Sequence, residues 1–96
     1  MTFCYILFSK RLNKYYTGST TEAIDERLDK HLAKFYDGAH FTHKANDWTV
    51  FFSIPCFTIE QARKIELHVK KMKSKKYIQN LKQYPEIAEQ LLKKYS

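Results

Sequence analysis

The sequence predicts an α+β fold, a three-stranded antiparallel sheet flanked by helices, on three observations. Three short runs are rich in aromatic and branched residues, apolar residues elsewhere recur at helical spacing, and turn or capping residues mark the junctions. The 96 residues are expected to form one domain, near the lower end of what buries an independent core. A composition that is 44% hydrophobic and 16% aromatic, with two Gly and two Pro, excludes a disordered chain.

The elements follow in order. Phe3 to Phe8 is apolar on both faces, as a strand covered on both sides must be. Arg11 to Lys14 forms a polar turn, Tyr15 to Thr17 a short second strand of the hairpin, and Gly18 its exit. Ser19, Thr20 and Thr21 supply capping oxygens, and Glu22 and Asp25 suit the positive end of a helix dipole. Ile24, Leu28, Leu32 and Phe35 make the buried stripe of that helix, which Asp37-Gly38 ends. Residues 38–47 carry few apolar side chains and are expected to form an exposed loop, long enough in so small a domain to point to binding.

Trp48, Val50, Phe52 and Ile54 alternate with Thr49, Phe51 and Ser53, giving a third strand that ends at Pro55. Thr58 and Gln61 have capping-box spacing, with Phe57 placed as a hydrophobic staple. The helix they start is expected to bury Ala62, Ile65, Val69 and Met72. Ser74 caps a further helix through Leu81, and Pro85 opens a last one with Ile87, Leu91 and Tyr95 on its face.

No apolar run approaches the ~20 residues that cross a bilayer, and the run from Phe3 to Phe8 is too short for a signal-peptide core. A cytoplasmic location is therefore expected, with Cys4 and Cys56 as buried free thiols.

Charge narrows the function. Seventeen Lys and Arg against ten Asp and Glu give a net charge of +7. Arg63, Lys64, Lys70, Lys71, Lys73, Lys75 and Lys76 crowd one stretch in which Glu66 is the only acid. Such a block either draws a polyanion, nucleic acid above all, or forms a solvated helix face.

Several residues stand out against this background. Arg27 lies ~60° around the helix from Ile24, on the shoulder of the apolar stripe, where its planar fork either meets a phosphate in a cleft or snorkels over the helix edge. His31 falls inside the stripe, as a core histidine or a neighbour of Arg27 in a site. Glu66 either pairs with Lys70 four residues on or offers oxygen to a hard cation. Tyr5 and Tyr16 are strand tyrosines that pack, unless a metal-bound water or cationic cluster makes them proton acceptors or orienting groups. His40 and His43 lack an adjacent Cys or acid to complete a metal site, so phosphate contact or solvent exposure remains for them. Lys44, Lys70, Lys71, Lys73, Lys75 and Lys76 support phosphate placement without sequence readout. Gly-rich phosphate loops, Ser-His-Asp sets and dinucleotide fingerprints are missing.

Taken together, Phe3-Cys4-Tyr5 followed by Tyr16-Thr17-Gly18 resembles the paired signatures of the GIY-YIG nucleases. The likeness continues through Arg27 and His31, the loop Gly38-Ala39-His40-Phe41-Thr42, and Glu66 with its lysine run. It covers residues 3–76 and is nearest to small stand-alone bacterial members related to the incision domain of nucleotide-excision repair. Phe3 stands where the first signature has glycine, and Thr17 where the second has isoleucine.

The resemblance implies a β-β-α-β-α-α core over residues 3–76, with C-terminal helices over 75–96, in a single nuclease domain spanning 1–96. It implies a metal-dependent endonuclease that hydrolyses phosphodiester bonds in DNA with one Mg²⁺ or Mn²⁺ ion. The alternative is a nucleic-acid-binding module of the same fold with little catalysis. By resemblance, Tyr5 and Tyr16 place or activate the attacking water, Arg27 stabilises the phosphate, His31 stands where relatives carry His or Tyr, and Glu66 is the metal ligand. DNA is the expected partner, RNA the second choice, and target selection is left to a protein partner or to DNA structure.

Overall fold

The computed structural model describes residues 2–32 and 45–96, with His31 described through its backbone alone. Three strands, β1 (Thr2–Ser9), β2 (Lys14–Thr20) and β3 (Thr49–Cys56), form one antiparallel sheet in the order β2-β1-β3. Helix α1 (Ile24–Leu32) lies between β2 and β3 in sequence, and α2 (Ile59–Met72), α3 (Lys75–Gln83) and α4 (Pro85–Lys94) follow. The expected α+β architecture is present. Its helical tail comprises three helices after β3, one more than the β-β-α-β-α-α core pattern, because Tyr84-Pro85 breaks the tail in two.

β1 runs up the middle, and its alternation divides the core. Cys4 and Ile6 face a cluster built with Ile54 and with Ala62, Ile65 and Val69 of α2, Ile78 and Leu81 of α3, and Ala88 and Leu91 of α4. Tyr5 and Leu7 face the other way, onto Ala45, Trp48 and the α1 stripe of Ile24, Leu28 and Leu32. Each fully buried aliphatic side chain, such as Leu7, Ile65 or Leu81, contributes about 1.5–3 kcal/mol relative to exposure.

Four local expectations change. β2 continues through Gly18 to Thr20, so glycine lies inside the strand, and Ser19 and Thr20 are strand residues, not helix caps. Thr20 Oγ1 instead accepts from Glu22 N–H at 2.9 Å, closing the turn into α1. A register shift between Ile6 and Leu7 lets Phe52 pair with Ile6 but Val50 with Leu7. The intervening Phe51 is extra, so Val50 packs on the α1 side while Phe52 packs on the α2 side, breaking the simple alternation. β3 also passes through Pro55, which an edge strand tolerates because the missing donor can point outward. The hairpin turn is pinned from β3's entry: Asp47 accepts from Ser9 Oγ at 2.6 Å and Arg11 N–H at 2.8 Å.

α2 starts at Thr58, whose Oγ1 accepts from Gln61 N–H at 3.1 Å, while Gln61 Oε1 accepts from Phe57 N–H at 2.7 Å. Phe57, however, is 85% exposed and Met72 45% exposed, so neither the staple nor the last turn of the expected core face forms. Buried Gln61 turns its amide to the carbonyl of Leu92 at 3.0 Å, tying α4 to the start of α2. His68 of α2, between Tyr95 Oη just past α4 at 2.9 Å and Tyr77 Oη of α3 at 3.1 Å, brings the third helix into this junction. Cys4 and Cys56 are free thiols, Cys4 buried and Cys56 half-buried. No helix among the described residues is long and apolar enough to cross a membrane.

Candidate active site

Strand β2 is an edge of the sheet, and its pleat sends successive side chains to opposite faces. Tyr16 and Gly18 lie opposite Leu7 and Tyr5 on the α1 side, whereas Thr17 and Ser19 lie opposite Ile6 and Cys4 on the α2 side. A site that uses both helices must therefore wrap around this edge. The structure places its candidate residues there.

On the α1 side, Tyr5 is 1% exposed and its phenol lies against Gly18. A Cβ at position 18 would come within 2.5 Å of Tyr5 Oη and 2.6 Å of Tyr5 Cζ, so the strand carries glycine for a close approach. Arg27 Nε donates to Tyr5 Oη at 3.0 Å, and its guanidinium carbon lies 5.9 Å from the Tyr5 ring centre. Arg27 Nη1 also stands 3.6 Å from Glu22, which pairs with Lys30 Nζ at 2.7 Å. The Lys30 hydrogen bond, with Arg27 beyond it, holds the Glu22 carboxyl below its ordinary range.

On the α2 side, Glu66 Oε1 accepts from Ser19 Oγ at 2.7 Å, and Oε2 accepts from Lys70 Nζ at 2.6 Å. Lys70 Nζ also lies 5.9 Å from the Tyr16 ring centre, and the Tyr16 and Tyr5 rings are 6.3 Å apart. A continuous set of contacts thus runs from Arg27 through Tyr5, Tyr16 and Lys70 to Glu66. A hollow of about 260 Å³ opens where the two faces meet, lined by Ser19, Glu22, Arg27 and Arg63 among others. Ser19 both lines this hollow and donates to Glu66, so the carboxylate stands one side chain away from a hollow that Arg27 also lines.

The other expected residues divide. The side chain of His31, and all of His40, His43 and Lys44, lie outside the described residues. Lys70, Lys73 and Lys75 line a second hollow along β2 together with Lys14. Lys71 is exposed on α2, and its charge, after burial and Lys94, adds to the lowering of the His68 pKa. Lys76 is exposed on α3. Ser19, Glu22 and Arg63 join the hollow without having been singled out as site residues. Strand alternation past Gly18 is the signal that would have placed Ser19 toward α2.

A carboxylate, a guanidinium and an ammonium around one cleft suit a phosphodiester, whose charge they neutralise and orient. Among the described residues no three His, Cys, Asp or Glu side chains gather into a closed metal site. Glu66 nevertheless fits an open one. Mg²⁺ is commonly held by one or two carboxylates, with water and substrate phosphate completing its shell. Ser19 and Lys70 occupy two of the roughly four lone-pair sites of the carboxylate.

Residues 1–80 match the family model described as the GIY-YIG catalytic domain. That match covers most of the chain, and the protein belongs to the GIY-YIG family, endonucleases that hydrolyse phosphodiester bonds in nucleic acid and generally use a divalent metal. No curated protein and no solved structure matches the chain.

Proposed function

We propose that this protein is a metal-dependent DNA endonuclease whose active site is the hollow at the β2 edge. The observation that carries this is the Ser19–Glu66 hydrogen bond, which brings the α2 carboxylate to the surface lined by Arg27 of α1. Residues 1–96 then act as one nuclease domain, with a catalytic core over 3–76 and C-terminal helices over 75–96 that complete its core. Its nearest kin within the family are the small stand-alone bacterial members related to the incision domain of nucleotide-excision repair, and it works in the cytoplasm.

Each side chain has a task. Arg27, steadied through Nε by Tyr5 and flanked by Glu22, presents cationic N–H groups to a scissile phosphate and stabilises the charge that grows there. Tyr16 borders the same edge and orients the attacking water, and buried Tyr5 helps to place it through Arg27, from whose Nε its hydroxyl accepts. That water attacks phosphorus in line, loses its proton, and the departing oxygen gains one as its bond to phosphorus breaks. Glu66 is the residue that would hold a single Mg²⁺ or Mn²⁺, with Ser19 fixing the carboxylate. When bound, such an ion supplies Lewis-acid stabilisation of the phosphate oxygens. His31, one turn after Arg27 on α1, is assigned a supporting role at the phosphate. Lys70, Lys71, Lys73, Lys75 and Lys76, with His40, His43 and Lys44, are assigned to the DNA backbone.

Lys70 at 2.6 Å from Glu66 gives a second reading some footing, because its ammonium supplies positive charge at the carboxylate without a metal. On that reading the chain is a nucleic-acid-binding module with little catalysis. Nicking of supercoiled DNA decides between them. Activity with Mg²⁺ or Mn²⁺, lost on chelation and lost in Glu66→Ala, is the expected result. Salt-sensitive binding without any cutting would establish the binding module.

A further inference from the structure

The second hollow lies along the same edge strand but away from Arg27. Its rim is cationic: Lys14 from β2, Lys70 and Lys73 from the end of α2, and Lys75 from the start of α3. Between them Tyr15, Tyr16 and Ile78 contribute aromatic and aliphatic lining to a volume of about 420 Å³. That size falls in the range of clefts that hold a small organic molecule.

The combination selects among polyanions. Lysines alone would serve any phosphate backbone. A paired duplex keeps its base faces inside its own stack and offers only phosphates, sugars and groove edges, so apolar lining gains little from it. An unpaired nucleotide exposes a flat apolar face together with its phosphate, the pairing that single-strand sites meet with aromatic side chains beside lysines. Tyr16 and Lys70 also join this hollow to the Glu66 end of the candidate active site.

The geometry of Lys73 supports the same assignment. It ends α2 in the left-handed conformation at φ 48°, where glycine is the usual residue, yet the chain keeps a lysine there. Lys75 is steadied across the hairpin by donating to the Asn13 carbonyl at 2.7 Å.

We propose that this hollow seats an unpaired stretch of the substrate strand, so the enzyme prefers DNA with a single-stranded region beside the cut. This rests on the endonuclease reading above and names the substrate class for the same site.

Fluorescence anisotropy on three labelled DNAs tests it: a blunt duplex, the same duplex with a single-stranded tail, and the tail alone. The tailed duplex should bind about tenfold or more tightly than the blunt one. Lys73→Gln and Lys75→Gln should each make the salt dependence for tailed DNA shallower by about 0.7 in log–log slope and erode the tail preference. Lys14→Gln, in a different element, should do the same and guards against a folding artefact at the α2–α3 corner. Equal binding of blunt and tailed DNA, or equal losses on both in all three variants, would overturn the proposal. The same DNAs incubated with Mn²⁺ separate the two claims. Blunt and tailed DNA bound equally but both cut would reject the single-strand seat and keep the nuclease. Tail preference without cutting would support the seat and reject the nuclease, and no binding to any DNA would reject both.

Discussion

Gly18→Ala is the sharpest probe of how the sheet builds the site. The new methyl would sit 2.5 Å from Tyr5 Oη and 2.6 Å from Tyr5 Cζ, about 1 Å short of the 3.4 Å at which ordinary contact begins. Tyr5 is 1% exposed and its ring is rigid, so the phenol must tilt as a unit into packed surroundings. Overpacking of this kind costs about 1–3 kcal/mol. Replacing a strand glycine returns roughly 0.5–1 kcal/mol of backbone entropy, leaving a net loss of up to about 2.5 kcal/mol. For a domain of this size that lowers Tm by up to roughly 20 °C. The larger consequence is positional. A shift of about 1 Å at the phenol withdraws the acceptor that steadies Arg27, and a misplacement of that size costs about 10²-fold in rate. Thermal unfolding and DNA nicking by Gly18→Ala, Tyr5→Phe and the double variant measure both effects. Because both changes act through one hydroxyl, the activity losses should be non-additive, with Gly18→Ala costing less in the Tyr5→Phe background. Native stability and activity in Gly18→Ala, or strictly additive losses, would refute the close-approach argument.

Two further outcomes follow from single residues. Lys73→Gly should raise stability by about 0.5–1 kcal/mol, because glycine enters the left-handed region without the Cβ penalty, while binding of tailed DNA weakens; calorimetry and anisotropy should move in opposite directions. His68, with its pKa lowered chiefly by burial, is more readily protonated in the unfolded chain. The protein should therefore lose stability as pH falls below about 6.5 toward the lower folded value, and denaturant midpoints of His68→Gln should show a flatter profile through that window.

Much of this was legible because local pattern and burial agree. The apolar run of β1 is covered on both faces, Ile24, Leu28 and Leu32 of the α1 stripe pack where their spacing put them (Phe35 and the Asp37-Gly38 end lie outside the described residues), and Thr58, Ser74 and Pro85 begin the helices they were expected to begin. What was not legible depends on partners distant in sequence. Gly18 has the appearance of a strand exit until Tyr5 is placed across from it. The shift that separates Val50 from Phe52 depends on pairing with β1. Phe57 and Met72 carry the right spacing for a staple and a core face, but among the described residues Phe57 stays 85% and Met72 45% exposed. The sharpest example is Ser19, a cap-forming residue type in a capping position, which stays in β2 and hydrogen-bonds Glu66 47 residues away. The four expected residues Tyr5, Tyr16, Arg27 and Glu66 are close through neighbours no spacing rule names.

The account stands on a guanidinium from α1 and a carboxylate from α2 serving one phosphate around the free edge of β2. The direct measurement is a double-mutant cycle on kcat/KM for DNA cleavage, using Arg27→Ala, Glu66→Ala and the double variant. Residues that act as a unit on one transition state should give a double variant hardly worse than the poorer single one. Losses that simply multiply, or an Arg27→Ala enzyme that cuts DNA as fast as the native protein, would contradict it.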